Sequence, residues 1–167
     1  YISIKGDIKL DEVLGSKSYY PQINDSSIIE KGVEFKFEPN KNKLNYKSTH
    51  QEFELNKNLK VFKGPEFNCL NKGSINKLIN KEFSIGVNNR MAYNLKEKIQ
   101  DGVSSIISSA VIPGTVQLTP SGQMIILHRD CQTTGGYPRI LQLDEKSLDN
   151  LAQLRIGHKI RFEIVTL

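Results

Sequence analysis

The stretch "GTVQLTPSGQMIIL", residues 114–127, sets two strand-like runs around a turn signal. Pro120 presets φ at the second turn position and Gly122 closes the turn, so the stretch reads as a β-hairpin. Its outgoing arm, "MIIL", is apolar on both faces. That suits a central strand, covered on either side, rather than an edge.

Outward from this hairpin the dominant period is two. "YISIKGDIKL" alternates Ile2 and Ile4, then Ile8 and Leu10, around a Gly-Asp break. "VEFKFE" alternates Val33, Phe35 and Phe37, and "EFSIGV" alternates Phe83, Ile85 and Val87. "HKIRFEIV" sets Ile160, Phe162 and Ile164 against Lys159, Arg161 and Glu163. Each pattern predicts a half-buried strand. Helical spacing is scarce. "NKGSINKLIN" offers Ile75, Leu78 and Ile79 with Ser74 as N-cap, and "KSLDNLAQLRIG" offers Leu148, Leu151 and Leu154 with Ser147 as N-cap. Two short helices, near 74–79 and 147–155, are therefore expected among many short strands, in a mainly β barrel or sandwich. The Lys/Asn-rich stretch from 39 to 60 reads as a surface excursion between strands.

A length of 167 residues suits a single domain with a sizeable core, and the 38% hydrophobic content is well above the disordered class. The net charge of +5 comes from 23 basic against 18 acidic residues. Lysine is interleaved with Asn and Glu, without the Arg and aromatic stripe of a nucleic-acid groove, so no nucleic-acid partner is expected. No apolar run approaches the ~20 residues of a membrane span. The opening "YISIKG" alternates like a strand already under way, which suits a piece of a longer polypeptide, and the two cysteines read as reduced thiols of a cytoplasmic protein. Cys69 and Cys131 are too few for a disulfide framework, and His50, His128 and His158 share no zinc-like spacing with them, so no metal site is expected.

The chemistry is concentrated in "HRDCQTTGGYPRI", residues 128–140. Asp130, Gln132, Thr133 and Thr134 arrive together before Gly135, Gly136 and Tyr137, more hydrogen-bonding groups than a connecting turn needs. The glycine pair allows positive φ, so its backbone N–H groups are candidates for an anion-binding nest. The hydroxyls and amide would contact substrate, Asp130 would orient a water or a substrate N–H, and Tyr137 would form a wall with a polar tip. Arg90, in "NNRMAYNL", is a candidate bidentate partner for a carboxylate. His128 and Cys131 do not make a nucleophile dyad, because on one strand they point to opposite faces. No phosphate-binding "GK[ST]" follows a glycine-rich turn, and no Met-Lys-Met biotinylation context occurs.

Taken in order, "YISIKGDIKLDEVLGSKSYY", "GPEF", "NNRMAYNL", "IPGTVQLTPSGQMIILHRDCQTTGGYPRI" and "LAQLRIGHKIRF" resemble the allophanate hydrolase subunit 2 family. That carboxyltransferase-like family includes KipA and the C subunit of bacterial 5-oxoprolinase. The resemblance spans nearly the whole chain and implies the C-terminal half of a longer subunit, folded as one cyclophilin-like β-barrel domain over 1–167. It implies a subunit of an ATP-dependent 5-oxoprolinase complex, with Asp130 catalytic and Gln132, Thr133, Thr134, Gly135, Gly136, Tyr137 and Arg90 binding substrate. A B-type, KipI-like companion and an amidohydrolase-like A-type subunit are the implied partners. ATP with Mg is implied for the full complex, with no cofactor bound by this domain alone, and the fragment by itself is expected to be inactive. Two alternatives stay open: a carboxyltransferase domain of a urea-carboxylase or allophanate-hydrolase system, and a KipA-like regulator that antagonises a kinase inhibitor. Ala92 and Arg139 depart from the family's usual Gly and Lys.

Overall fold

The computed structural model describes residues 4–20, 22–23, 30–40 and 55–166. Ile2, His50 and positions 41–54 of the Lys/Asn-rich stretch lie outside them. The chain divides into two compact units, residues 1–51 and 52–167.

In the first unit β1 (Gly6–Ile8) and β2 (Phe37–Pro39) form an antiparallel ribbon, with Gly6 opposite Pro39 and Ile8 opposite Phe37. The expected half-buried strands are shorter than their alternation, and Ile4, Leu10, Val33, Phe35 and Phe37 are exposed. A two-stranded ribbon offers no second layer on which an apolar face can be buried.

The second unit is built from β3 (Asn58–Lys63), a 3₁₀ turn (Phe67–Cys69), α1 (Lys72–Asn80), β4 (Phe83–Asn88), β5 (Ala92–Leu95), β6 (Ser109–Ala110), β7 (Thr115–Leu118), β8 (Met124–Leu127), β9 (Thr134–Gly135), β10 (Arg139–Leu143), α2 (Glu145–Ala152) and β11 (Lys159–Ile164). Seven strands close a barrel in the order β10-β3-β11-β4-β5-β8-β7, with β7 returning to β10. The fold is thus mainly β with two short helices, as the sequence predicted. Every barrel pairing is antiparallel except β3 with β11.

The barrel is closed by its alternating side chains. Leu59 and Val61, Ile85, Val116 and Leu118, Met124 and Ile126, and Leu141 are fully buried, and Phe83 and Phe162 meet with ring centroids 5.6 Å apart. Each such side chain contributes about 1.5–3 kcal/mol of burial free energy. The "MIIL" strand pairs with β5 on one side and β7 on the other, as expected for a central strand. Strand β3 corrects the expected surface excursion, since positions 58–60 already belong to the barrel and Leu59 is fully buried.

Helix α1 packs on β11 and α2 on β3. Their caps differ from expectation by one turn. The Asn71 side chain accepts from the Ser74 N–H at 2.9 Å, and Asp144 accepts from the Ser147 N–H at 2.7 Å. Asn and Asp cap as well as Ser, which leaves both serines inside the helices and buried. Ser147 Oγ instead accepts from the backbone N–H of Lys60 at 2.8 Å, fastening α2 to β3. Leu78, Leu148, Leu151 and Leu154 are buried as predicted, whereas Ile79 is exposed. Among the described residues no helix is long and apolar enough to cross a membrane.

Candidate functional site

Where β8 ends, two backbone bonds tie the start of the 128–140 loop to the turn between β4 and β5. The His128 N–H donates to the Met91 carbonyl at 2.8 Å, and the Asp130 N–H donates to the Arg90 carbonyl at 2.9 Å. Asn89 shapes that turn, its side-chain oxygen accepting from the Met91 and Ala92 N–H groups at 2.8 and 3.0 Å. Ala92, at the family's usual glycine position, sits in β5 opposite Leu127 and needs no left-handed backbone.

This arrangement brings Arg90 and Asp130 together. The guanidinium donates from Nε to one carboxylate oxygen at 2.5 Å and from Nη2 to the other at 3.1 Å. The Arg90 bond holds the Asp130 carboxyl below its usual range, so it is an anion and a poor proton acceptor. The pair is exposed, 82% for Arg90 and 46% for Asp130, and so remains open to exchange with a ligand. The carboxylate that Arg90 grips is thus the neighbouring Asp130, a pairing that forty residues of separation concealed in the sequence.

Beyond Asp130 the loop forms a second ribbon. β9 pairs with β6, Ser109 opposite Gly135 and Ala110 opposite Thr134. The Val111 N–H donates to the Thr133 carbonyl at 3.0 Å, and the Ile106 N–H to the Gly136 carbonyl at 2.9 Å. Gln132, Thr133 and Thr134 are exposed, and their side chains make no hydrogen bond among the described residues. Neither Gly135 nor Gly136 has positive φ, so the alternating nest suggested by the sequence is not formed. Gly135 makes room instead: a Cβ there would stand 2.5 Å from the Gln117 side-chain nitrogen. Gln117 is buried and donates to the Tyr137 carbonyl at 3.4 Å, while Tyr137 itself is 38% exposed.

The loop ends on a clamp. Arg139 donates to Glu66 from Nε at 2.9 Å and Nη2 at 2.7 Å, and its backbone N–H adds a third bond at 2.9 Å. A fourth, from Nη1 to the Ala110 carbonyl at 3.0 Å, ties β10 to β6. The fork geometry that distinguishes Arg from Lys is therefore used. Glu66 is held below the usual carboxylate range, chiefly by this guanidinium. The "GPEF" stretch fits against the same strand, since a Cβ on Gly64 would lie 2.1 Å from the Arg139 carbonyl oxygen. Gly64, Pro65, Ala110, Ile112 and Arg139 border a cleft of about 270 Å³. Two other clefts, of about 300 and 360 Å³, contain Arg161 and no residue of the loop. Sequence reasoning missed Glu66, Gln117 and the 106–111 segment; for Gln117 the available signal was a polar residue at the centre of a strand.

The thiol of Cys131 is pushed up by burial, opposite to what an activated nucleophile requires. Among the described residues no group of three or more His, Cys, Asp or Glu side chains is placed to hold a metal ion.

The chain matches the family described as carboxyltransferase domain, subdomain A and B, over residues 1–164. It is 27% identical to the C subunit of 5-oxoprolinase from Escherichia coli strain K12 over 97% of this chain and 54% of that protein. It is 52% identical to the C subunit of 5-oxoprolinase from Haemophilus influenzae over 62 residues, which are 37% of this chain and 20% of that one. The chain thus spans about half the length of the E. coli protein. Among solved structures it is similar to TTHA0988, with a TM-score of 0.59 and 25% identity over 68% of this chain and 23% of that one. It also shares its fold with the urea carboxylase of Kluyveromyces lactis, with a TM-score of 0.61 and 20% identity over 98% of this chain and 17% of that one.

Proposed function

Since this chain belongs to the family of the carboxyltransferase domain, subdomains A and B, we propose that it is part of the C subunit of an ATP-dependent 5-oxoprolinase complex, and that the 128–140 loop is one wall of its substrate site. The named relatives support the reaction. The observation that carries the site is a row of outward polar side chains on a ribbon backed by β6 and Gln117, beside a formed guanidinium–carboxylate pair.

5-Oxoproline presents a carboxylate, a lactam carbonyl and a ring N–H. Arg90 exchanges Asp130 for the substrate carboxylate, a bidentate partner of the same geometry. The freed Asp130 then accepts from the ring N–H or orients the water. Thr133 and Thr134 donate to substrate oxygens, Gln132 both donates and accepts, the Gly135–Gly136 backbone lets the ligand approach closely, and Tyr137 closes one side. Hydrolysis adds water across the lactam C–N bond, giving a carboxylate on carbon and an ammonium on nitrogen. Donors aimed at the carbonyl oxygen stabilise the charge that develops there.

Among the described residues the glycine pair forms no nest that would cradle the phosphates of a nucleotide. The nucleotide is assigned to another part of a cytoplasmic complex, shared with a B-type companion and an amidohydrolase-like A-type subunit. The family's name favours carboxyl transfer as a second reading, and carboxybiotin-dependent turnover would select it.

The test is Asp130→Asn and Thr134→Val in the reconstituted complex, scored by 5-oxoproline-dependent turnover and by thermal denaturation. Turnover is expected to fall roughly 10²-fold or more with folding intact. Wild-type turnover in both variants would reduce the loop to a turn.

A further inference from the structure

Both ring nitrogens of His128 are sealed from solvent and make no hydrogen bond among the described residues. The imidazole lies against the Tyr93 ring, centroids 5.3 Å apart and tilted by 43°. The charged groups that face it are Arg129, Asp130 and Arg90 from the loop and turn, and Asp149 from α2. Burial, followed by the charge of Arg129, holds the imidazole below its ordinary 6.5, so it rests neutral. An imidazolium carries two N–H donors, and neither finds an acceptor in this position. The proton is therefore accommodated only if the ring reaches water.

The backbone that carries this ring also carries the site. The His128 and Asp130 N–H groups bind the Met91 and Arg90 carbonyls, and the Cys131 N–H binds the His128 carbonyl at 3.0 Å. We propose that His128 is an acid-operated latch on the candidate site: its protonation expels the ring from beside Tyr93, breaks the backbone bonds to the β4–β5 turn and parts Asp130 from Arg90. The latch is a property of the loop and does not depend on what the site binds.

The sign follows from proton linkage. Above about 6.5 the ring is neutral whether the latch is closed or open, and the closed form keeps its full advantage. As pH falls below that value only the open form takes the proton, and the closing equilibrium drops about tenfold per pH unit until the closed form's own lower value is passed. Neighbouring groups do not titrate there: Arg90 holds Asp130 below the carboxylate range, the arginines stay charged, and the Cys131 thiol is pushed up.

Amide hydrogen exchange by NMR on the 167-residue chain tests the latch between roughly pH 7.5 and 5, a range that brackets the ordinary imidazole value. After correction for intrinsic exchange, protection at His128, Asp130 and Cys131 is expected to stay level down to about pH 6.5 and then to fall by about tenfold per pH unit, while core amides such as Ile126 hold. His128→Phe, which keeps a ring against Tyr93, should abolish the dependence. The wild-type imidazole carbon–proton signals provide a readout that needs no variant, and their midpoint should lie below 6.5, at the lower end of the pH range over which protection falls. An imidazole that titrates at 6.5 with protection unchanged, or an equal loss of protection in His128→Phe, overturns the proposal.

Discussion

Gly135 and Gly136 are adjacent, yet alanine should affect them oppositely. At Gly135 the new methyl would stand 2.5 Å from the Gln117 side-chain nitrogen, 3.4 Å from its Cδ and 3.5 Å from its Oε1. Ordinary contact begins near 3.5 Å, so the amide must retreat by about 1 Å. Gln117 is 1% exposed, and its bond to the Tyr137 carbonyl is already long at 3.4 Å. Retreat breaks that bond and leaves a buried amide N–H unsatisfied, at a cost of about 1–3 kcal/mol. For a chain of this size that is a fall in Tm of roughly 2–12 °C, at about 2–4 °C per kcal/mol. At Gly136 the nearest atom to a Cβ is the Ile106 carbonyl oxygen at 3.4 Å, and φ is not positive. Alanine there should be neutral or add up to about 1 kcal/mol by restricting the unfolded chain. Paired thermal and urea denaturation of the two variants decides the matter. A Gly135→Ala protein as stable as wild type, or a Gly136→Ala protein equally destabilised, would refute the close-approach reasoning and restore a conformational role for the pair.

Glu66→Gln should cost roughly 1.5–3 kcal/mol by leaving the Arg139 fork half-buried against a neutral amide, measured by urea denaturation. Because the folded carboxyl sits below its unfolded value near 4.5, its contribution is complete above that pH and lost as pH falls through the folded value. The variant's stability profile should accordingly be flatter in acid. Iodoacetamide, followed by mass spectrometry at mildly alkaline pH, should alkylate exposed Cys69 well before Cys131, and the reverse order would revive a nucleophilic role. Asp144→Ala should cost about 1 kcal/mol as a lost cap. Ser147→Ala should cost about 1–3 kcal/mol by depriving the Lys60 N–H of its acceptor, and an unchanged Tm in either would contradict the assigned bonds.

Strands with one buried face, β4 and β11, were legible because their alternation records that face, whereas the β7–β8 hairpin, buried at nearly every strand position, was legible from its turn signal and its apolar run. Strand β3 was hidden because lysines and Asn58 surround its two buried positions and merge it with the polar stretch before it. The alternation in "VEFKFE" was real but recorded no burial. At the site the residue types were legible, and their contacts were not. Nothing local tells Asp130 that Arg90 will arrive, or Gly135 that Gln117 lies beneath it, because those contacts follow from strand register. The caps went astray for a simpler reason: Asn71 and Asp144 compete with the nearby serines for the same role.

The parallel contact between β3 and β11 joins positions about a hundred residues apart, Arg161 opposite Asn58 and Ile164 opposite Val61. On a ribosome this spacing becomes a delay. Until β11 has been synthesised, β3 and β4 each lack a neighbour, and the sheet presents two raw edges able to recruit strands from other chains. Closure requires β11 to return to a strand synthesised about a hundred residues earlier, and such non-local pairing marks the barrel as a slow folder. Overexpression of this chain is thus expected to lose material to aggregates early, and slower translation or a chaperone that caps strand edges should recover it.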